Sequence, residues 1–235
     1  MVVNFYSLFG GVVVILLGAL LRRARRYRRE DFFTAAGFAI FIICAAEAHL
    51  LLIHLFPTTK DALLMHIDQA MGFDARVVMA FVERHHPLWS GFDVVYCSLS
   101  ALIGLAWTLE HDRTMRLAAI IGGVLCFPLY AAVPAVGPGW FNMATLSAAA
   151  APRNCMPSMH LTWAILIAWN AKSRPLRIAL WLYVGLIAAA TIALGQHYLI
   201  DLFAAVPYTA AIQYVAARSY ARKPVTTAPQ VAAES

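Results

Sequence analysis

The sequence predicts an all-α fold, a polytopic membrane helix bundle of about seven spans, and three observations carry that prediction. Hydrophobic residues make up 62% of the 235-residue chain and charged residues 13%, against roughly 25% charged in a soluble domain. Mean hydropathy is +0.70. The apolar residues fall in continuous runs of about 20, long enough to cross a bilayer as a helix, and they lack the alternation of a barrel strand. So few polar groups cannot coat a water-facing surface, which excludes an ordinary soluble domain and a disordered chain. The 13 glycines and 11 prolines follow no period, which excludes collagen-like sequence.

The apolar runs fall near residues 3–21, 32–56, 90–109, 115–134, 158–172, 176–195 and 197–217. The first is read as a retained span, because its charges follow the apolar stretch where a cleaved signal peptide has them in front. With Arg22, Arg23, Arg25, Arg26, Arg28 and Arg29 placed inside, alternation puts fourteen of the eighteen lysines and arginines on the cytoplasmic side. That bias sets the N-terminus out and the C-terminus in. Three regions follow: an N-terminal span with its basic cytoplasmic loop (1–31), a membrane domain (32–217), and a disordered cytoplasmic tail (218–235). The net charge of +6 sits in short blocks between apolar runs, the pattern of loops beside anionic lipid and not of a nucleic-acid groove. Cys44, Cys97 and Cys126 fall mid-span as small hydrophobes, and no disulfide framework or Cys-x-x-Cys pair is present.

Residues 57–89 form the long connection on the outer side. Leu63, Leu64, Ile67 and Met71, then Val77, Val78, Phe81 and Val82, recur at helical spacing, and Gly72 divides them into two short helices expected to lie flat on the outer leaflet. A packed interfacial cover and a substrate-gathering lid are both open readings. Glu83, Arg84, His85 and His86 lack a ligand geometry for metal and read as a solvated loop. Glu47 and His54, seven apart, share a helix face, either lining a cavity or packed as a buried pair, while His49 points elsewhere. Tyr198, Tyr208 and Trp140 read as interfacial anchors. Asn142 and the run Ala148 to Ala151 fall in a stretch that could dip back into the membrane.

Two clusters carry chemistry, and the topology sends both to the same outer face. In Arg153-Asn154-Cys155-Met156-Pro157-Ser158-Met159-His160, proline fixes the backbone and Ser158 caps a starting helix. The free N–H groups of that helix start, with Arg153 beside them, suit an anion, and His160 in the first turn can donate a proton to it. In Gly195-Gln196-His197-Tyr198-Leu199-Ile200-Asp201, His197 and Asp201 stand at i and i+4 on one face. A carboxylate on one imidazole nitrogen fixes the tautomer, frees the other nitrogen as nucleophile or base, and stabilises the imidazolium formed on attack. Gly195 breaks the preceding helix and permits close approach of a ligand. Gln196 can hydrogen-bond phosphate or headgroup.

Pro-Ser-Met-His followed 37 residues later by His-Tyr-x-x-Asp resembles the second and third signature motifs of the type 2 phosphatidic acid phosphatase superfamily. The chain is most similar to the branch containing the inositol phosphorylceramide synthases, and Pro134-Ala135-Val136-Gly137-Pro138 looks like the segment before the second motif there. The resemblance spans roughly residues 40–217. It implies that His197 attacks phosphorus to form a phosphohistidine, Asp201 orients it, and His160 protonates the leaving oxygen and then activates the acceptor. It also implies no metal and no cofactor.

Two departures bear on the substrate. Hydrolase members carry a lysine and an Arg-Pro in the first motif, whereas no cation lies here between Arg116 and Arg153. They also carry Ser-Arg ahead of the nucleophile, where this chain has Ala190 and Thr191. A phosphomonoester brings close to two negative charges and a phosphodiester one, so fewer cations favour a diester. The expected partners are therefore a phospholipid donor and a lipid alcohol acceptor, with no nucleic acid. The expected location is a bacterial inner membrane with the site facing the periplasm or exterior. The alternatives are a lipid phosphate phosphatase, acting on phosphatidic acid or a polyprenyl phosphate, and a transporter that uses the same residues as a proton relay. Clustering at one membrane face, with no internal repeat, argues against the transporter.

Overall fold

The structure is a computed structural model and describes residues 29–109, 113–141, 151, 153 and 155–221. The expected first span, most of the basic loop, the stretch at 142–150 and residues 222–235 lie outside the described residues. Helices and connecting turns make up everything described, with no strand. Nine helices follow in order among these residues. They are α1 (Arg29–Leu55), α2 (Asp61–Ala70), α3 (Ala75–Glu83), α4 (His86–Leu109), α5 (Arg113–Ala132), α6 (Pro138–Phe141), α7 (Met159–Asn170), α8 (Arg174–Ala193) and α9 (Leu199–Ala221).

Four of them, α4, α5, α8 and α9, are long and apolar enough to cross a membrane. The run expected to span at 158–172 forms a helix of only 12 residues, about 18 Å against the ~30 Å of a hydrocarbon core. Ser158 caps its start, and the chain turns at Ala171 before Ser173 caps α8. Every residue from Leu161 to Ala168 is buried, so α7 forms the axis of the bundle. Leu161, Ile165 and Ala168 meet Leu99, Ile187 and Leu202, while Trp163 and Leu166 meet Trp107, Ala118 and Ile212. Where lipid replaces water, close fit between helices does the work of hydrophobic burial, and small residues permit it. At Gly122 of α5 a methyl group would come within 2.7 Å of Ile212 from α9. At Gly123 it would strike the Phe41 ring of α1.

The connection at 57–89 forms the two short helices that its periodicity predicts. Gly72, at φ +80°, separates α2 from α3, and Asp74 caps α3 through the Arg76 amide. The buried residues of α2 are Asp61, Leu64 and Asp68, so its inner face carries two carboxylates. Glu83 to His86 are exposed, as a solvated loop requires. Glu47 and His54 are also exposed, which removes the buried-pair reading. His49 is the packed residue of that helix, its ring 5.1 Å from Phe127 and 5.7 Å from Tyr130. The last helix runs to Ala221, past the boundary expected at 217, because Ala216 still packs against Trp163 and Trp107 in the core. All four cysteines are free.

Candidate active site

The two sequence clusters meet at one end of the bundle, where the first turns of α7 and α9 adjoin. Ser158 begins α7 by accepting the Leu161 amide, the cap expected of it, and its own amide donates to the Asp201 carbonyl at 3.2 Å. That bond ties the second motif to the third, main chain to main chain. The Met156–Pro157 peptide is cis, and Tyr130 of α5 donates to the Pro157 carbonyl at 3.3 Å. The His160 and His197 rings face each other edge to face, with centroids 5.9 Å apart and planes at 63°.

Behind His197 stands Asp201. Its Oδ2 lies 3.4 Å from His197 Nδ1 and accepts the Tyr198 amide at 2.8 Å, the reach-back of a third-position acid to the start of its helix. The histidine contact is an ion-pair distance without hydrogen-bond alignment; among the described residues His197 Nδ1 and Asp201 Oδ1 have no hydrogen-bond partner. Catalytic contacts are commonly long before substrate binds. Asp201 is fully buried and His197 is 3% exposed, so the pair interacts with little screening.

Two carboxylates that sequence reasoning did not assign hold this arrangement. Asp68 accepts the Leu199 amide at 2.7 Å and the Ile200 amide at 3.0 Å, covering the open N–H groups at the start of α9. Burial pushes its carboxyl above the usual range, against the pull of those two amides. Asp61 accepts the Val136 and Gly137 amides at 2.9–3.1 Å and the Tyr198 hydroxyl at 3.0 Å. Tyr198 is therefore no interfacial anchor: it is 1% exposed, because its hydroxyl is taken up by a buried acid. Tyr208 is likewise turned inward, donating to the Gly122 carbonyl at 2.5 Å. The only signal in the sequence was two acids seven apart on the inner stripe of α2, and loop carboxylates ordinarily face solvent.

Gly195 ends the helical run before His197 at φ +66°, and the close approach seen there is to Gly139. A methyl group there would lie 2.8 Å from the Gly139 amide and Cα, and the Gly139 amide donates to the Gly195 carbonyl. Gly137, at φ +89°, sits equally tightly on the Gln196 carbonyl. The segment from Pro134 to Pro138 is buried as a cradle for the turn that carries His197.

Arg153 is 2% exposed. Its guanidinium donates to the carbonyls of Ala151 (2.6 Å), Phe56 (3.1 Å) and Pro57 (3.4 Å). Burial lowers its pKa from the ordinary value, and the Asp61 carboxylate opposes that shift. Gln196 is half-buried and adjoins His197, its side chain donating to the Leu194 carbonyl at 3.4 Å. Ala190 and Thr191 are fully buried, and the Thr191 carbonyl accepts the amides of Gln196 and His197. One further residue enters unannounced by the sequence: Tyr96 of α4 stacks on His160 at 4.2 Å between centroids.

Cys155 completes the surroundings, its thiol donating to the Gln196 carbonyl at 3.5 Å. One ligand atom each from Cys155, His197 and Asp201 lie within 4.8 Å of one another, all buried, so this is where a thiophilic cation would be held. The arrangement as a whole offers one imidazole backed by a carboxylate, a second imidazole across a gap, and a positive charge on the same strand of chain as the second.

A family model described as the PAP2 superfamily matches residues 62–215. No curated protein and no solved structure matches the chain.

Proposed function

The chain belongs to the PAP2 superfamily, and from that premise we propose that it is an integral membrane lipid phosphotransferase of the inositol phosphorylceramide synthase-like kind. It moves a phosphorylated headgroup from a phospholipid to a lipid alcohol. Membership already points to phosphatase or phosphotransferase chemistry on lipids, and the four apolar helices agree with a site at a bilayer. The observation that supports two-step histidine chemistry, common to transferase and phosphatase, is the facing pair: His160 and His197 at 5.9 Å, with Asp201 behind one of them only.

The asymmetry supports a division of roles. His197, oriented through Nδ1 by Asp201, attacks phosphorus through Nε2, and the bond from phosphorus to the diacylglycerol oxygen breaks. His160 gives that oxygen its proton. The acceptor hydroxyl then attacks the phosphohistidine, passes its proton to His160, and the phosphorus–nitrogen bond breaks, restoring both imidazoles. Dividing one displacement into two in this way lowers each barrier. General acid help from His160 contributes about 10²–10⁴-fold. In this reading the phosphate lies beside the stretches that carry Arg153, Ser158 and Gln196. Arg153 is held by the carbonyls of Ala151, Phe56 and Pro57, Ser158 caps α7 and Gln196 donates to Leu194, so a direct bond to phosphate requires each to exchange that partner.

A diester donor fits the charge available. The place where hydrolase members carry an arginine is filled by Ala190 and Thr191, both without exposed surface, so no cation reaches the phosphate from there. The site faces the outer leaflet by the charge asymmetry of the loops. The decisive experiment supplies purified protein with phosphatidylinositol, other phospholipids and phosphatidic acid, each with and without a lipid alcohol, and reads products by mass spectrometry. Transfer of the headgroup to the alcohol, abolished in His197→Ala and strongly reduced in His160→Ala, is expected. Fast release of inorganic phosphate from phosphatidic acid, with no transfer, would establish a lipid phosphate phosphatase instead.

A further inference from the structure

We propose that Tyr96 is the positioning residue of His160, holding the general acid by its ring face and hydroxyl as Asp201 holds the nucleophile; this rests on the reading of His160 and His197 given above. The two imidazoles are supported differently. His197 has a carboxylate at its rear nitrogen. Among the described residues His160 makes no ion pair, and what meets it instead is Tyr96. The rings stack at 4.2 Å with planes 24° apart, and the Tyr96 hydroxyl lies 3.5 Å from His160 Nδ1.

The difference suits the two tasks. A nucleophile gains from a permanent negative charge behind it, because attack leaves its ring positive. A general acid must release its proton, and a carboxylate at its rear would hold that proton back and repel the phosphate. A neutral hydroxyl beside Nδ1 restrains the rotation of the ring without adding charge and leaves Nε2 for the leaving oxygen. The tyrosine face also favours the imidazolium that forms when the acceptor's proton arrives.

The turn of α4 that carries Tyr96 is held by α8. Tyr183 of α8 donates to the Val95 carbonyl at 3.2 Å and shares a 2.8 Å hydrogen bond with the Ser98 hydroxyl. Those residues flank Tyr96 on α4, so the helix is pinned to α8 just where the ring leaves it. A long catalytic chain of contacts results, from α8 through α4 to the acid on α7.

The test compares two donors carrying the same headgroup: a phospholipid, whose alkoxide leaving group needs a proton, and a nitrophenyl phosphodiester, whose leaving group does not. The burst of nitrophenolate isolates the first displacement. Tyr96→Leu is expected to slow phospholipid turnover by roughly 10–10²-fold while changing the burst rate less than about 3-fold, the pattern of a lost general acid. His160→Ala should show the same selectivity, and His197→Ala should abolish both reactions. Tyr96→Phe, which keeps the stack and the fold, should lose a smaller part of phospholipid turnover with the same preference. Equal loss on both donors in Tyr96→Leu and Tyr96→Phe, or no loss on either, overturns the assignment and leaves the proposed function intact. Retained activity in His197→Ala overturns the proposed function and this inference together.

Discussion

Replacing Asp68 by alanine removes the acceptor of two amides at the start of α9, those of Leu199 and Ile200, at 2.7 and 3.0 Å. Both lie in a region where the acid itself is 1% exposed, so water does not readily replace it. Losing a helix N-cap costs ~0.5–2 kcal/mol, and a hydrogen bond to a charged group is worth ~1.5–3 kcal/mol. Both bonds share one carboxylate whose burial already carries a penalty, so the two do not simply add. An overall loss of about 2–4 kcal/mol follows. At roughly 2–4 °C per kcal/mol for a chain of this size, the apparent melting temperature in detergent should fall by about 4–16 °C. Turnover should fall as well, because His197 stands two residues before the unsupported amides, and a displacement near 1 Å can cost about 10²-fold. Asp68→Asn, with one carbonyl oxygen and an NH₂ facing a second N–H, should lie between wild type and alanine. Melting and turnover of Asp68→Ala indistinguishable from wild type would refute the view that α2 supports the turn carrying His197.

Three other outcomes follow from the geometry. Asp201→Asn keeps an acceptor for the Tyr198 amide but removes the charge behind His197, so phosphoryl transfer should fall about 10²–10⁴-fold with little change in melting, measured side by side on one preparation. Gly195→Ala must place a methyl group 2.8 Å from the Gly139 backbone at φ +66°, and should lower both yield of folded protein and melting temperature, whereas Gly185→Ala, with open space around it, should not. Zinc should inhibit by bridging Cys155, His197 and Asp201, and Cys155→Ser should raise the concentration needed for half inhibition; equal sensitivity of the two proteins would show that zinc acts elsewhere.

Much of the helical architecture was legible because bilayer physics leaves few choices. Apolar runs announce α4, α5, α8 and α9 directly, and the periodicity of Leu63 to Val82 announces α2 and α3 with Gly72 between them. The pairing of Pro-Ser-x-His with His-x-x-x-Asp was legible for a different reason: each residue type there has a chemical reason for its spacing. What stayed hidden depends on partners without a side-chain signature. Asp61 and Asp68 bond chiefly to backbone amides more than seventy residues away, and nothing in a stretch of sequence marks an amide as waiting for an acid. Tyr96 reads as one more aromatic in an apolar run until the fold sets it against His160. Tyr198 misled for the mirror reason, since tyrosine at the end of a span is usually a surface residue, and here Asp61 draws it inside. The apolar run at 158–172 does form a helix, α7, but hydropathy reports apolar length and not whether lipid or protein surrounds it.

The link between the Ser158 amide and the Asp201 carbonyl involves no side-chain atom. Exchanging the side chains around the two imidazoles therefore leaves in place the main-chain tie that joins the start of one helix to the start of the other.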